Sequence, residues 1–107
     1  MPEPVVVMVT CSDADEAERI ASCLVEERLA ACANVAGPIQ SVFRWKGALE
    51  KATEYLLLIK THRELFEKIA ARVEELHSYE VPEIVALPIV AGSRPYLDWI
   101  NDALSGA

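Results

Sequence analysis

A chain of 107 residues, 52% of them hydrophobic, makes one domain with one core and leaves no room for a second. Its 17 acids against 10 bases give a net charge of −7, which excludes nonspecific nucleic-acid binding because nothing would neutralise a run of phosphates. Cys11, Cys23 and Cys32 are an odd set without CxxC spacing, which argues against a disulfide framework or zinc knuckle and for a reducing compartment.

Met1-Pro2-Glu3-Pro4 carries an acid where a signal peptide needs bases, and the apolar run Val5 to Val9 is far too short to cross a membrane. A cytoplasmic chain with no membrane span is expected. Val5-Val6-Val7-Met8-Val9 is β-branched and continuous, the pattern of a strand buried on both faces. Asp13 with Glu16 predicts a capping-box helix start, and Ala17, Ile20, Ala21 and Leu24 mark one buried helical face, with the end near Leu29. From Asn34 to Trp45 the period falls to two. Ile39, Ser41, Phe43 and Trp45 face one way, Gln40, Val42 and Arg44 the other, and Gly37-Pro38 predicts a bulge. Gly47 lies in a turn and Thr53 to Lys60 resumes as a strand, so the two form an antiparallel hairpin.

Thr61 with Glu64 predicts a second capping box, followed by a helix lined by Leu65, Ile69, Val73 and Leu76. Ile84 to Val90 reads as the fourth strand, with Pro88 at an edge or bulge. Ser93-Arg94-Pro95 opens a last helix, with Tyr96, Leu97, Ile100 and Leu104 to pack. The order is β-α-β-β-α-β plus a C-terminal helix. It predicts an α+β, ferredoxin-like split βαβ domain over residues 1–107, with one sheet face left open. Phe43, Trp45, Tyr55, Leu56, Leu57 and Leu58 exceed what one helical layer buries, so a homo-oligomer closing over that face is expected.

His77-Ser78-Tyr79-Glu80-Val81-Pro82-Glu83 carries the most chemistry: an imidazole, a phenol and two carboxylates on a connection stiffened by Pro82. The plain alternative is a helix C-terminus followed by a polar turn, with His77 near the negative end of the helix dipole.

Four blocks, from Leu24 to Val35, Ser41 to Gly47, His77 to Ile84 and Tyr96 to Ile100, resemble the CutA divalent-cation tolerance proteins in order and spacing. The resemblance runs from about Val5 to Leu104. It implies a ferredoxin-like protomer in a PII-like homotrimer, with a role in tolerance to copper and other divalent metals. Cys32 and His77 match motif positions of the family, which makes them the first metal candidates for copper(II) or another divalent ion. Some family members are proposed to use a Cys at the end of the first strand and a His pair near the end of the second helix; the corresponding positions here are Val9 and Leu76. Cys11, two residues beyond Val9, keeps the same face if the strand runs that far, and lies in the turn otherwise. Cys32 among alanines also reads as a small buried hydrophobe.

Glu54 and Lys60 match charged positions of the family's third strand and are expected to pair across a subunit boundary. The PII relationship permits a ligand site in the subunit cleft, where Glu80, Glu83, Lys60 and Arg94 meet beside Tyr79. Phe43, Trp45, Tyr55 and Trp99 are the expected trimer-interface anchors. Catalysis is not expected: Cys32 and His77 would be a minimum nucleophile and base, yet no third orienting residue, oxyanion motif or phosphate-cradling glycine loop accompanies them. Two readings remain foremost. One is a homotrimer that binds a divalent metal, and the other a PII-like sensor or scaffold that takes a small ligand or protein partner without a direct metal function.

Overall fold

A computed structural model describes residues 2–106. Strand β1 (Pro4–Cys11) leads into helix α1 (Ala14–Glu26), then the hairpin β2 (Cys32–Trp45) and β3 (Ala48–His62). A 3₁₀ turn, Arg63–Leu65, enters helix α2 (Phe66–Leu76), and β4 (Val85–Pro88) and helix α3 (Arg94–Ser105) follow. The strands form one sheet in the order β2-β3-β1-β4, antiparallel throughout. This is the expected ferredoxin-like order with an added helix.

β1 holds the centre, and its burial alternates. Val5, Val7, Val9 and Cys11 are buried, while Pro4, Val6, Met8 and Thr10 are only half-buried. The expectation of a strand buried on both faces therefore gives way to one face sealed by helices. The same pleat settles the place of Cys11, which belongs to the strand and shares the face of Val9. The core joins these residues to Leu57 and Ile59 of β3, Ala17, Ile20 and Leu24 of α1, and Ile69 and Val73 of α2. Burying each large aliphatic side chain contributes about 1.5–3 kcal/mol against the entropy of ordering the chain.

Helix α1 starts as predicted, with Asp13 Oδ1 accepting from the Glu16 amide at 2.8 Å. It ends at Glu26, short of Leu29, because Arg28 turns to a positive φ of 58° and the Leu29 and Ala30 amides fold back onto Leu24 O. The second capping box does not form. Thr61 is still in β3, opposite Val5, and its buried hydroxyl donates to Leu29 O at 2.7 Å, so α2 begins only after the 3₁₀ turn. β4 is shorter than Ile84 to Val90 and exposed throughout; Pro88 lies on this edge strand and has no N–H to donate.

The register shift between Ala36 and Ile39 is the expected bulge at Gly37-Pro38. Gly37 has φ of +151°, and an added Cβ would stand 2.8 Å from Tyr55 Cδ2 and 3.1 Å from Glu54 O, so this crossing needs a glycine. Beyond the bulge the hairpin runs out past the helices. Val42, Phe43, Trp45 and Leu49 are exposed there, and Trp99 is exposed on α3, whereas Tyr55 packs against the core. The second sheet face is not wholly open. Lys60 alternates with buried Ile59 and Thr61 and pairs with Cys32, and Tyr96 of α3 lies beside that Cys32. Helix α3 therefore covers the β2–β3 end of this face, where Arg28 also donates to Ala103 O at 2.9 Å.

Candidate functional site

The start of α1, the end of β1 and the segment after α2 converge. Beyond its capping bond, the Glu16 carboxylate is buried and faces two other elements. Its Oε1 accepts from the amide and hydroxyl of Ser12 at 3.3 Å, and its Oε2 accepts from the Ser78 amide at 2.7 Å. Burial pushes its carboxyl up, but the Ser78 and Ser12 hydrogen bonds outweigh this and hold it below the usual range.

His77 ends α2 with extended φ and ψ of −82° and 144°, its amide donating to Val73 O at 2.8 Å. That geometry turns the imidazole inward, where the residue is 9% exposed. Nε2 lies 2.7 Å from Thr10 O, and Nδ1 accepts from the Tyr79 amide at 3.0 Å. The Tyr79 ring tilts against His77 at a centroid distance of 4.7 Å, and its hydroxyl donates to Glu54 Oε2 at 2.6 Å. Burial, followed by the Glu54 carboxylate, raises the Tyr79 phenol.

Potential ligand atoms of Cys11, Glu16 and His77 lie within 4.8 Å of one another, the one such grouping found among the described residues. Its chemistry does not fit a resident metal. Both imidazole nitrogens are engaged, and both Glu16 oxygens already accept hydrogen bonds. The Cys11 thiol is pushed up to about 12 by burial and then by Glu16, Asp13 and Glu54, so in the ion-free protein it stands as a neutral thiol.

Outside this cluster, a groove of about 860 Å³ opens between the hairpin and the segment after α2. Glu50, Glu54, Glu80 and Glu83 line it with Thr10, Ser41, Ser78 and Tyr79, against an apolar wall of Val42, Phe43, Trp45 and Val81. Among the described residues, no lysine or arginine lines it.

Of the residues singled out in the sequence, Cys11 and His77 thus come together, and Glu54, Tyr79, Glu80 and Glu83 share the groove. Cys32 joins neither group. Thr10 stands opposite Leu56, and Leu56 opposite Ala36, four residues along β2 from Cys32, a separation of about 13 Å along the sheet. There Cys32 Sγ lies 3.8 Å from Asn34 Oδ1, which also takes the Lys60 ammonium, so Lys60 is outside the groove, as is Arg94. Glu16 and Glu50 were not anticipated. Glu16 carried a signal as a cap, but helical spacing says nothing about a carboxylate that reaches a segment 62 residues away.

The profile of the family described as CutA1 divalent ion tolerance protein matches residues 5–103. The chain is 50% identical over 97 residues to the divalent-cation tolerance protein CutA of Thermus thermophilus, covering 91% of this chain and 94% of that one. It is 40% identical over 99 residues to the chloroplastic protein CutA of Arabidopsis thaliana, covering 92% of this chain and 54% of the longer plant protein. The solved structure of the periplasmic divalent cation tolerance protein CutA from Archaeoglobus fulgidus superposes with a TM-score of 0.91 at 42% identity, over 94% of this chain and 98% of that one.

Proposed function

The chain belongs to the CutA1 divalent ion tolerance family, and from that premise we propose that it serves divalent-cation tolerance as a cytoplasmic homotrimer that meets the cation as cargo. The groove carries this reading: four carboxylates, from Glu50, Glu54, Glu80 and Glu83, with no lysine or arginine among them. Oxygen donors of this kind attract divalent ions without needing a buried thiolate. Copper(II) is the first cation to test and zinc the second. Three free cysteines support a reducing compartment. The exposed hairpin residues Val42, Phe43, Trp45 and Leu49 support closure by neighbouring copies. The reading assigns no catalytic step, consistent with the separation of Cys32 from His77.

The experiment is isothermal titration of copper(II), then zinc, into chelator-stripped protein, with light scattering to fix the assembly. The expected result is a trimer with saturable binding, weakened at least tenfold in a Glu80→Gln, Glu83→Gln double variant. A monomer, or binding indifferent to both substitutions, overturns this reading. The apolar wall of the same groove supports a second reading, a PII-like sensor or scaffold. In that case a small ligand or protein segment with an apolar body and positive charge occupies the groove, and metal effects are indirect.

A further inference from the structure

We infer that His77 is a positioning residue and not a metal ligand: its neutral imidazole, protonated at Nε2, clamps the end of β1 to Tyr79 and so seats the Tyr79 hydroxyl on Glu54 in the groove. The tautomer follows from the partners. Thr10 O is a carbonyl and can only accept, so the ring nitrogen 2.7 Å away carries the proton. The Tyr79 amide can only donate, so Nδ1, 3.0 Å away, presents its lone pair. A metal needs a free lone pair. The one lone pair on this ring is spent on Tyr79, and the other nitrogen holds a proton against β1. A second proton on Nδ1 would set two donors against each other, so the clamp exists only in the neutral ring.

The neighbouring bonds close the same joint. Glu16 Oε2 takes the Ser78 amide at 2.7 Å, so two consecutive amides, of Ser78 and Tyr79, are tied to side chains from α1 and the end of α2. Tyr79 is then fixed at its backbone by His77 and at its hydroxyl by Glu54, 2.6 Å away. No buried side-chain nitrogen or oxygen among the described residues lacks a partner, so both ring nitrogens and both Glu16 oxygens are engaged within the joint. This inference concerns the joint alone and stands whether or not the groove carboxylates take a cation.

The test is long-range ¹H–¹⁵N spectroscopy of the imidazoles in the full labelled chain, with zinc added to two equivalents and His62, the other histidine, as the internal comparison. The expected result is an unprotonated Nδ1 and a protonated Nε2 at His77, both unmoved by zinc. Loss of the Nε2 proton, or a coordination shift at either nitrogen, overturns the inference. Hydrogen exchange at the Tyr79 amide supplies a second readout. Asparagine can accept from the amide two residues on, so His77→Asn should keep that protection, while His77→Ala should lose at least tenfold. Equal loss in both variants, or no loss in His77→Ala, overturns it as well. If His77→Ala does not fold, the wild-type spectrum and His77→Asn still decide. Failure of cation binding in the groove would leave both readouts as stated.

Discussion

Removing the Glu16 carboxylate should cost stability in a way that depends on pH. At neutral pH this group accepts a charge-assisted bond of 2.7 Å from the Ser78 amide and two longer ones from Ser12, and the residue is 5% exposed. One such bond to a charged acceptor is worth about 1.5–3 kcal/mol, so Glu16→Ala should lose about 2–3 kcal/mol. Glu16→Gln keeps an acceptor oxygen for Ser78 but loses the charge and sets its NH2 against the Ser12 amide, for about 1–2 kcal/mol. The carboxyl is held below its ordinary value of 4.5 in the fold. In the window below 4.5 the unfolded chain binds more protons than the native one, so stability rises with pH there. The charge contribution is therefore full above 4.5 and disappears as pH falls through the native value. Guanidinium denaturation at one fixed chain concentration, at pH 7 and at steps from 5 to 3, measures the gap between wild type and Glu16→Gln. A gap under about 0.5 kcal/mol at pH 7, or one that stays constant down to pH 3, would refute the reasoning.

The Cys11 thiol predicts the opposite slope. Between the ordinary 9.0 and about 12 the native thiol keeps a proton that the unfolded chain releases, so stability falls as pH rises, by at most about 1.4 kcal/mol per unit. Cys11→Ala should remove that contribution, and denaturation at pH 8 and pH 10.5 should show the wild type losing more than the variant. Gly37→Ala would press a Cβ to 2.8 Å from Tyr55 Cδ2 and 3.1 Å from a backbone oxygen, at a positive φ. It should cost about 2 kcal/mol or more in the same assay, and a cost under about 0.5 kcal/mol would show that the crossing relaxes freely.

Periodicity carried β1, α1 and α2 because each of them buries one continuous face. Ala17, Ile20, Ala21 and Leu24 on α1, and Ile69 and Val73 on α2, lie where spacing puts them. It failed where a polar side chain serves a distant partner. Thr61 has the look of a helix cap, yet its hydroxyl is committed to Leu29 O, a contact between segments 32 residues apart that no local pattern encodes. The segment from His77 to Glu83 stood out by composition, and its residues do gather at the groove and the joint. Composition could not say that both nitrogens of His77 would be taken, since that depends on where the carbonyl of Thr10 arrives. Nor could spacing separate Cys32 from the other candidates. Only the register of β2 against β3 and β1 places it at the far end of the sheet.

The central place of β1 has a consequence for synthesis. The first strand of this domain is flanked by β3 on one edge and β4 on the other, with Val5 opposite both Thr61 and Pro88. As the chain leaves the ribosome, this apolar strand carries two bare edges, and the second is not covered until Pro88 has emerged. At the usual elongation rate that interval lasts roughly 4 to 15 s, long compared with the microseconds in which hairpins form. The β2–β3 hairpin can zip locally while β1 waits with its valines unpaired. During that interval β1 is exposed to edge-to-edge aggregation, and a chaperone would have reason to hold it.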